Sequence, residues 1–253
     1  MKILVIPDLH GKSCWKDRIF NGPKNFDKVI FLGDYVDAWP KDATDGQILG
    51  NLLDVISYKR SNIDTVELLL GNHDVMYDLH PEQPCSGYRS SMQVDLTSIF
   101  NDNKNLFNIA YQEGTTLFTH AGISNGWYKK VVQFFSFPIM EGVKDTADFL
   151  NRLYRSQHNH AVCRVGTLRG GYYPHGGPLW ADTREFTNKQ IPENLNQFVG
   201  HTPIKNIKTV KYICKPSSNI AEGFVPGTIT FCDVLDYKKD YVLVDTDTGE
   251  YIV

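Results

Sequence analysis

Apolar residues along this chain gather into short runs that stop abruptly at Asp, Asn or His. Ile3-Leu4-Val5-Ile6-Pro7 runs into Asp8-Leu9-His10-Gly11, and Val29-Ile30-Phe31-Leu32 into Gly33-Asp34-Tyr35-Val36-Asp37. Val66-Glu67-Leu68-Leu69-Leu70 ends in Gly71-Asn72-His73-Asp74, Thr116-Leu117-Phe118-Thr119 in His120-Ala121-Gly122, and Phe198-Val199 in Gly200-His201-Thr202-Pro203. Runs of this length and composition read as buried strands of an α/β sheet. Between the second and third runs, residues 45–60 carry Ile48, Leu49, Leu52, Leu53 and Ile56 at a 3.6-residue spacing, which predicts an amphipathic helix. Strand, helix, strand is the βαβ unit of a parallel sheet, whose strand ends would come to one edge, where open α/β sheets place their chemistry. A single aspartate after a strand also serves as a helix cap. Five strands finished by Asp, Asn or His are harder to explain as packing.

The remaining chain is less regular. Residues 78–90 hold His80, two prolines, Cys85 and Gly87 and read as a loop, followed by a helix ending near 101. Segments 106–111 and 115–119 flank Glu113-Gly114 and predict a hairpin. Residues 123–195 are rich in aromatic and polar side chains, with a helix expected over 146–157 and a glycine-dense run over 166–177. This stretch reads as a lid-like insertion in a single domain spanning 1–253. Strands expected near 208–214, 228–235, 241–244 and 251–253 suggest an antiparallel second sheet.

Composition narrows the function. At 253 residues and 42% hydrophobic content the chain has ample material for a core. A net charge of -3 and a pI near 6.2 give no electrostatic footprint for nucleic acid. The five cysteines are widely spaced with no C-x-x-C, so neither a disulfide framework nor a zinc knuckle is suggested. No apolar span approaches the roughly 18 residues of a membrane helix, and the expectation is a soluble, cytoplasmic protein with no membrane partner. Gly11-Lys12-Ser13 is not a phosphate-cradling P-loop, because Ile6 stands where that motif needs its first glycine.

The chemistry-bearing residues at the strand ends are Asp8, His10, Asp34, Asn72, His120 and His201. Two carboxylates, an amide oxygen and three imidazoles, with no thiolate, suit hard or borderline divalent ions such as Mn, Fe or Zn. The set suffices for two metals. Such a pair activates water and stabilises both oxygens of an in-line displacement, which phosphate ester hydrolysis needs most.

These blocks, Asp8-x-His10, Gly33-Asp34-x-x-Asp37, Gly71-Asn72-His73-Asp74, His120-Ala121-Gly122 and Gly200-His201, resemble in type and order the five signatures of the calcineurin-like metallophosphoesterases. Gly200-His201-Thr202-Pro203 and Leu179-Trp180-Ala181-Asp182 are most similar to its phosphoprotein phosphatase branch, which includes bacterial and phage serine/threonine phosphatases and diadenosine tetraphosphatases. The resemblance covers about residues 3–203. It implies an α/β sandwich of two mixed sheets flanked by helices. It also implies that Asp8, His10 and Asp34 hold one metal and that Asp34, Asn72, His120 and His201 hold the other, with Asp34 as the bridge and manganese the expected ion. A metal-bridging hydroxide would attack phosphorus, while His73, oriented by Asp37, protonates the leaving oxygen.

The chain departs from that branch at one place. The branch carries Arg-Gly after the second aspartate of its Gly-Asp block, and this sequence has Ala38-Trp39. The missing phosphate clamp is expected from Arg169, in Leu168-Arg169-Gly170-Gly171, or from Arg184. His158-x-His160 with Cys163 has metal-like spacing without a nearby fourth ligand, and His80 and His175 are read as loop residues beside the site. The expected substrate is phosphoserine or phosphothreonine of a protein, or a small phosphate ester. A dinucleoside polyphosphate, whose bases could stack on Tyr172, Tyr173 or Trp180, is the alternative. A non-catalytic scaffold of the same fold is disfavoured by the complete ligand set. Pro203 stands where nucleases of the superfamily carry the second histidine of Gly-His-x-His.

Overall fold

Strand β1 (Lys2–Ile6) is buried along its last four residues and anchors a sheet that continues through β2 (Lys28–Phe31), β3 (Val66–Leu69) and β4 (Phe107–Asn108), all parallel. The computed structural model describes residues 1–39, 41–79, 85–212 and 225–253. The chain forms two compact units, one built from 1–108 together with 234–253, the other from 109–233.

In the first unit, α1 (Cys14–Phe20) and α2 (Asp45–Ser61) cross between strands. Trp15 of α1 stands edge-on to Phe31 of β2, and its indole N–H donates to Asn51 of α2 at 2.9 Å. That buried hydrogen bond satisfies the one polar atom a tryptophan brings into a core. Helix α2 buries Ile48, Leu52 and Ile56 as its spacing predicts, while Val55 joins them and the expected Leu53 stays 50% exposed, and the helix begins in a capping box of Thr44 with Gln47. The short α3 (Asn72–Asp78) and α4 (Gln93–Asp102) follow β3. His80 lies outside the described residues.

The second unit carries β5 (Ala110–Glu113) and β6 (Thr116–Thr119), an antiparallel hairpin, followed by α5 (Asn125–Ile139) and α6 (Thr146–Arg155). Strands β7 (Asn196–Val199), β8 (Lys208–Lys211) and β9 (Thr228–Phe231) complete a sheet of order β5-β6-β7-β9-β8, in which β6, β7 and β9 run parallel. Ala121, Ala181, Phe186, Ile191, Val199, Ile229 and Phe231 form its buried cluster. The last two strands, β10 (Val242–Asp245) and β11 (Glu250–Ile252), return to the first sheet, where β10 pairs antiparallel with β1. Both sheets are therefore mixed.

Four expectations change. The stretch 106–111 is two strands rather than one, with β4 ending in the first sheet at Asn108 and β5 opening the second at Ala110. The four C-terminal strands do not form an antiparallel sheet of their own, because β8 and β9 extend the second sheet while β10 and β11 close the first. The five site-bearing strand ends fall on two sheets, three on one and two on the other, because β6 and β7 pair with each other and not with β3. Residues 123–195 lie within the second unit, and α5 was not expected there. Among the described residues no helix is long and apolar enough to cross a membrane.

Candidate metal and phosphate site

The turns that follow β1, β2 and β3 are bound to one another. Leu9 and His10 donate their backbone N–H groups to the Asp34 carbonyl at 3.1 and 2.8 Å, and Gly11 donates to Tyr35 at 3.0 Å. The turns after β2 and β3 meet at two glycines. A Cβ on Gly33, whose φ is +102°, would come within 2.3 Å of the Gly71 nitrogen, and one on Gly71 would meet the Asp34 carboxylate at 2.0 Å. Only glycine admits that approach. Asp74 fixes the junction: Oδ2 accepts from the N–H groups of Asp34 (2.7 Å) and Gly71 (2.8 Å), and Oδ1 from Tyr35 (2.9 Å). His10, Asp34 and Asp37 are held at φ +44°, +51° and +61°, a strained region for residues with side chains.

This frame brings His10, Asp34 and His73 together, each offering a ligand atom within 4.8 Å of the others. The His10 Nδ1–H donates to the Val36 carbonyl at 2.9 Å, which leaves the Nε2 lone pair facing Asp34 Oδ2 at 3.7 Å. Loss of solvation, aided by His73, pulls the His10 pKa down to about 3, so the ring is neutral and able to act as a ligand. Burial pushes the Asp34 carboxyl well above its usual range, with the carboxylates of Asp8 and Asp74 adding to it. Asp8, Asp34, Asp37 and Asp74 are all at least 96% buried. So many buried acids, beside an imidazole whose tautomer is set for coordination, form a donor set that fits a divalent cation.

Asn72 is steered by Cys85. Its amide nitrogen donates to the cysteine sulfur at 3.0 Å while the thiol donates back to the Asn72 carbonyl at 3.4 Å, which fixes the orientation of the amide. His73 donates its backbone N–H to Asp34 Oδ1 at 3.0 Å and engages Asp37 Oδ2 through Nδ1, also at 3.0 Å. The other Asp37 oxygen accepts from the hydroxyl of Tyr77.

The second unit holds its own cluster. The turns after β6 and β7 are joined by the Gly200 N–H donating to the His120 carbonyl at 2.8 Å, and the rings of His120 and His201 share a 3.0 Å hydrogen bond between Nε2 and Nδ1. His201 sits at φ +68° with Trp180 edge-on to its ring, centroids 5.9 Å apart. Both expected arginines converge on Asp182: Arg169 places Nε 2.8 Å from Oδ2, and Arg184 Nε donates to Oδ1 at 2.7 Å. Burial acts to raise the Asp182 carboxyl, but Arg184 and then Arg169 outweigh it and hold the pKa below the usual range. Arg169 also donates to the hydroxyl of Thr202, next to His201. Arg184 is more open, its side chain 64% exposed, and caps the Leu168 carbonyl at 2.7 Å.

Other candidates take structural places. His158 and His160 pack their rings on Phe135, and His175 lies 3.5 Å from the buried Glu185. Ala38 is buried and Trp39 exposed where the arginine was missed. Sequence reasoning gave no role to Asp74, Tyr77 or Cys85. Asp74 carried a signal as the last residue of the Gly-Asn-His-Asp block, and the other two carried none.

The family model described as calcineurin-like phosphoesterase matches residues 1–205. Among solved structures, a serine/threonine phosphatase from Saccharomyces cerevisiae with similarity to human phosphatase PP5 is 16% identical at a TM-score of 0.50, covering 96% of this chain and 72% of its own. A metallophosphoesterase from Sphaerobacter thermophilus is 13% identical at a TM-score of 0.43, covering 99% and 86%. No curated protein matches the sequence.

The contact between Gly33 and Gly71 yields a direct test. Gly71→Ala should lower the unfolding free energy by about 1–3 kcal/mol in urea titration, since its methyl group would overlap the Asp34 carboxylate. Gly46→Ala, on α2 with nothing within 4 Å, should be neutral or stabilising by up to about 1 kcal/mol. Equal effects would show that the two turns do not need the close approach.

Proposed function

Because the chain belongs to the calcineurin-like phosphoesterases, we propose that it is a metal-dependent hydrolase of phosphate monoesters, acting on phosphoserine or phosphothreonine of proteins. The observation that carries this reading is the group of His10, Asp34 and His73, with the second nitrogen of His73 engaged by Asp37. Asp8, His10, Asp34, Asn72, His120 and His201 would hold two divalent ions, manganese first, with iron or zinc as alternatives. Bound there, the ions would supply an activated water and withdraw charge from the phosphate.

The chain's own residues do the rest. His73 donates a proton from Nε2 to the leaving oxygen, and Asp37 holds the ring through Nδ1 so that Nε2 faces the reacting group. Asp34 Oδ1 accepts from the His73 backbone and so ties the acid to the ligand set. Arg169, braced by Asp182 and Thr202, would clamp the phosphate in the role lost at Ala38, a reading supported by its hold on Thr202, next to His201. The phosphoprotein reading agrees with the activity of the yeast protein that shares this fold. The dinucleotide alternative draws on Tyr172 and Tyr173, which are exposed near Arg169 in the chain. We place the protein in the cytoplasm because its five cysteines are odd in number and widely spaced with no C-x-x-C, a usage that suits a reducing compartment.

Asp34→Asn should abolish both turnover and stoichiometric binding of Mn²⁺, read by metal analysis and phosphate release. Two bound metals with full activity would refute the assignment. Arg169→Ala should weaken inhibition by inorganic phosphate and raise KM, with a smaller effect for Arg184→Ala. The reverse order would move the clamp to Arg184. With Mn²⁺ supplied, kcat/KM should be higher for a phosphoserine peptide than for diadenosine tetraphosphate. A tenfold preference for the dinucleotide, about 1.4 kcal/mol in the transition state, would exchange the two substrate readings.

A further inference from the structure

We infer that Tyr77 is a positioning residue for the proton donor, holding Asp37 so that Asp37 can hold His73, an assignment that rests on the phosphoesterase reading above. The Tyr77 hydroxyl accepts the backbone N–H of Arg89 at 3.1 Å, so its own proton goes to Asp37 Oδ1. Asp37 is thereby held at both oxygens, Oδ1 by the phenol and Oδ2 by His73 Nδ1 at 3.0 Å. A carboxylate with one partner can rotate about its terminal bond, whereas one with two partners on opposite oxygens cannot rotate without breaking a bond.

The phenol is itself held on every side. Tyr77 is fully buried and its ring stacks on Tyr88, centroids 5.4 Å apart at 24°. Its carbonyl accepts from the Thr97 hydroxyl at 2.7 Å, which ties α3 to α4. Arg89, which supplies the N–H, has its guanidinium bound to the Ala38 carbonyl at 2.5 Å, the Ala43 carbonyl at 2.8 Å and Asp45. Tyr77 and His73 lie on the same short helix, α3, so the residue that orients the acid moves with it.

In the step itself a water oxygen gives up a proton to solvent and bonds to phosphorus as the bond from phosphorus to the leaving oxygen breaks, and the electron pair of the broken bond stays on the leaving oxygen. The oxygen then takes the proton from His73 Nε2. The Nδ1 proton stays between His73 and Asp37, and Tyr77 keeps its own. The phenol acts only by holding the geometry, so its removal should be felt only where proton donation limits the rate.

Tyr77→Phe removes the hydroxyl and keeps the stacked ring, so the fold should be retained by circular dichroism. It should lower kcat about tenfold for a phosphoserine peptide, whose leaving group needs the proton, and less than about twofold for nitrophenyl phosphate. KM and Mn²⁺ stoichiometry should not change. In a His73→Gln background, Tyr77→Phe should cause no further loss, since the residue acts only through His73. An equal loss on both substrates, no loss at all, or a full additional loss in the His73→Gln background would each overturn the proposal while leaving the phosphoesterase reading intact. Absence of any leaving-group dependence in His73→Gln itself would overturn the acid role of His73 and this proposal with it.

Discussion

The site in the first unit depends on a contact made by a residue with no side chain: the backbone of Gly71 against the backbone and carboxylate of Asp34. Two strand ends brought this close leave their N–H groups pointing into the same small space, and Asp74 gathers three of them on one buried carboxylate. The pKa of that carboxyl is pushed up to about 7 by burial even as its three backbone donors act to lower it. Burial therefore outweighs the three hydrogen bonds at Asp74, and what it contributes is position. His10, Asp34 and His73 stand together because the turns beneath them cannot separate.

Strain and satisfaction are arranged in layers around that contact. The proposed site residues His10, Asp34 and Asp37 take left-handed backbone angles that cost roughly 1–3 kcal/mol each in isolation. Their neighbours take up the opposing constraint through hydrogen bonds: Val36 on His10, Cys85 on Asn72 and Tyr77 on Asp37. Of these partners Tyr77 lies on α3, whereas Val36 and Cys85 lie outside the helices and strands, so helix and turn share the positioning of the site. The second unit repeats the plan, with His201 strained at φ +68° beside Trp180 and two guanidinium groups sharing Asp182.

Much of this was legible in the sequence. The punctuation of apolar runs by Asp, Asn and His located every strand that carries a site residue, and the spacing of Ile48, Leu52 and Ile56 located α2. What escaped reading depends on pairing between distant segments. Nothing local distinguishes a strand that joins one sheet from a strand that joins another, which is why β4 and β5 fused into one and why β10 and β11 were placed with their neighbours in sequence. Helix α5 was hidden because residues 125–139 carry Trp, Tyr and Phe among polar residues without a clean stripe. Tyr77 and Cys85 left no signal, since a buried tyrosine or cysteine reads as core until its hydrogen-bond partner is known.

The closing of the first sheet by β10 has a consequence for biosynthesis. Strand β1 is made first and is apolar over Ile3–Ile6, yet one of its two edges stays without a partner until Val242–Asp245 leaves the ribosome. The second unit, drawn from one uninterrupted stretch of chain, can assemble before that moment, while the first waits with an open hydrophobic edge. Slowing translation across residues 234–253 therefore prolongs the interval in which nascent chains can pair with one another, and chaperone demand should concentrate there.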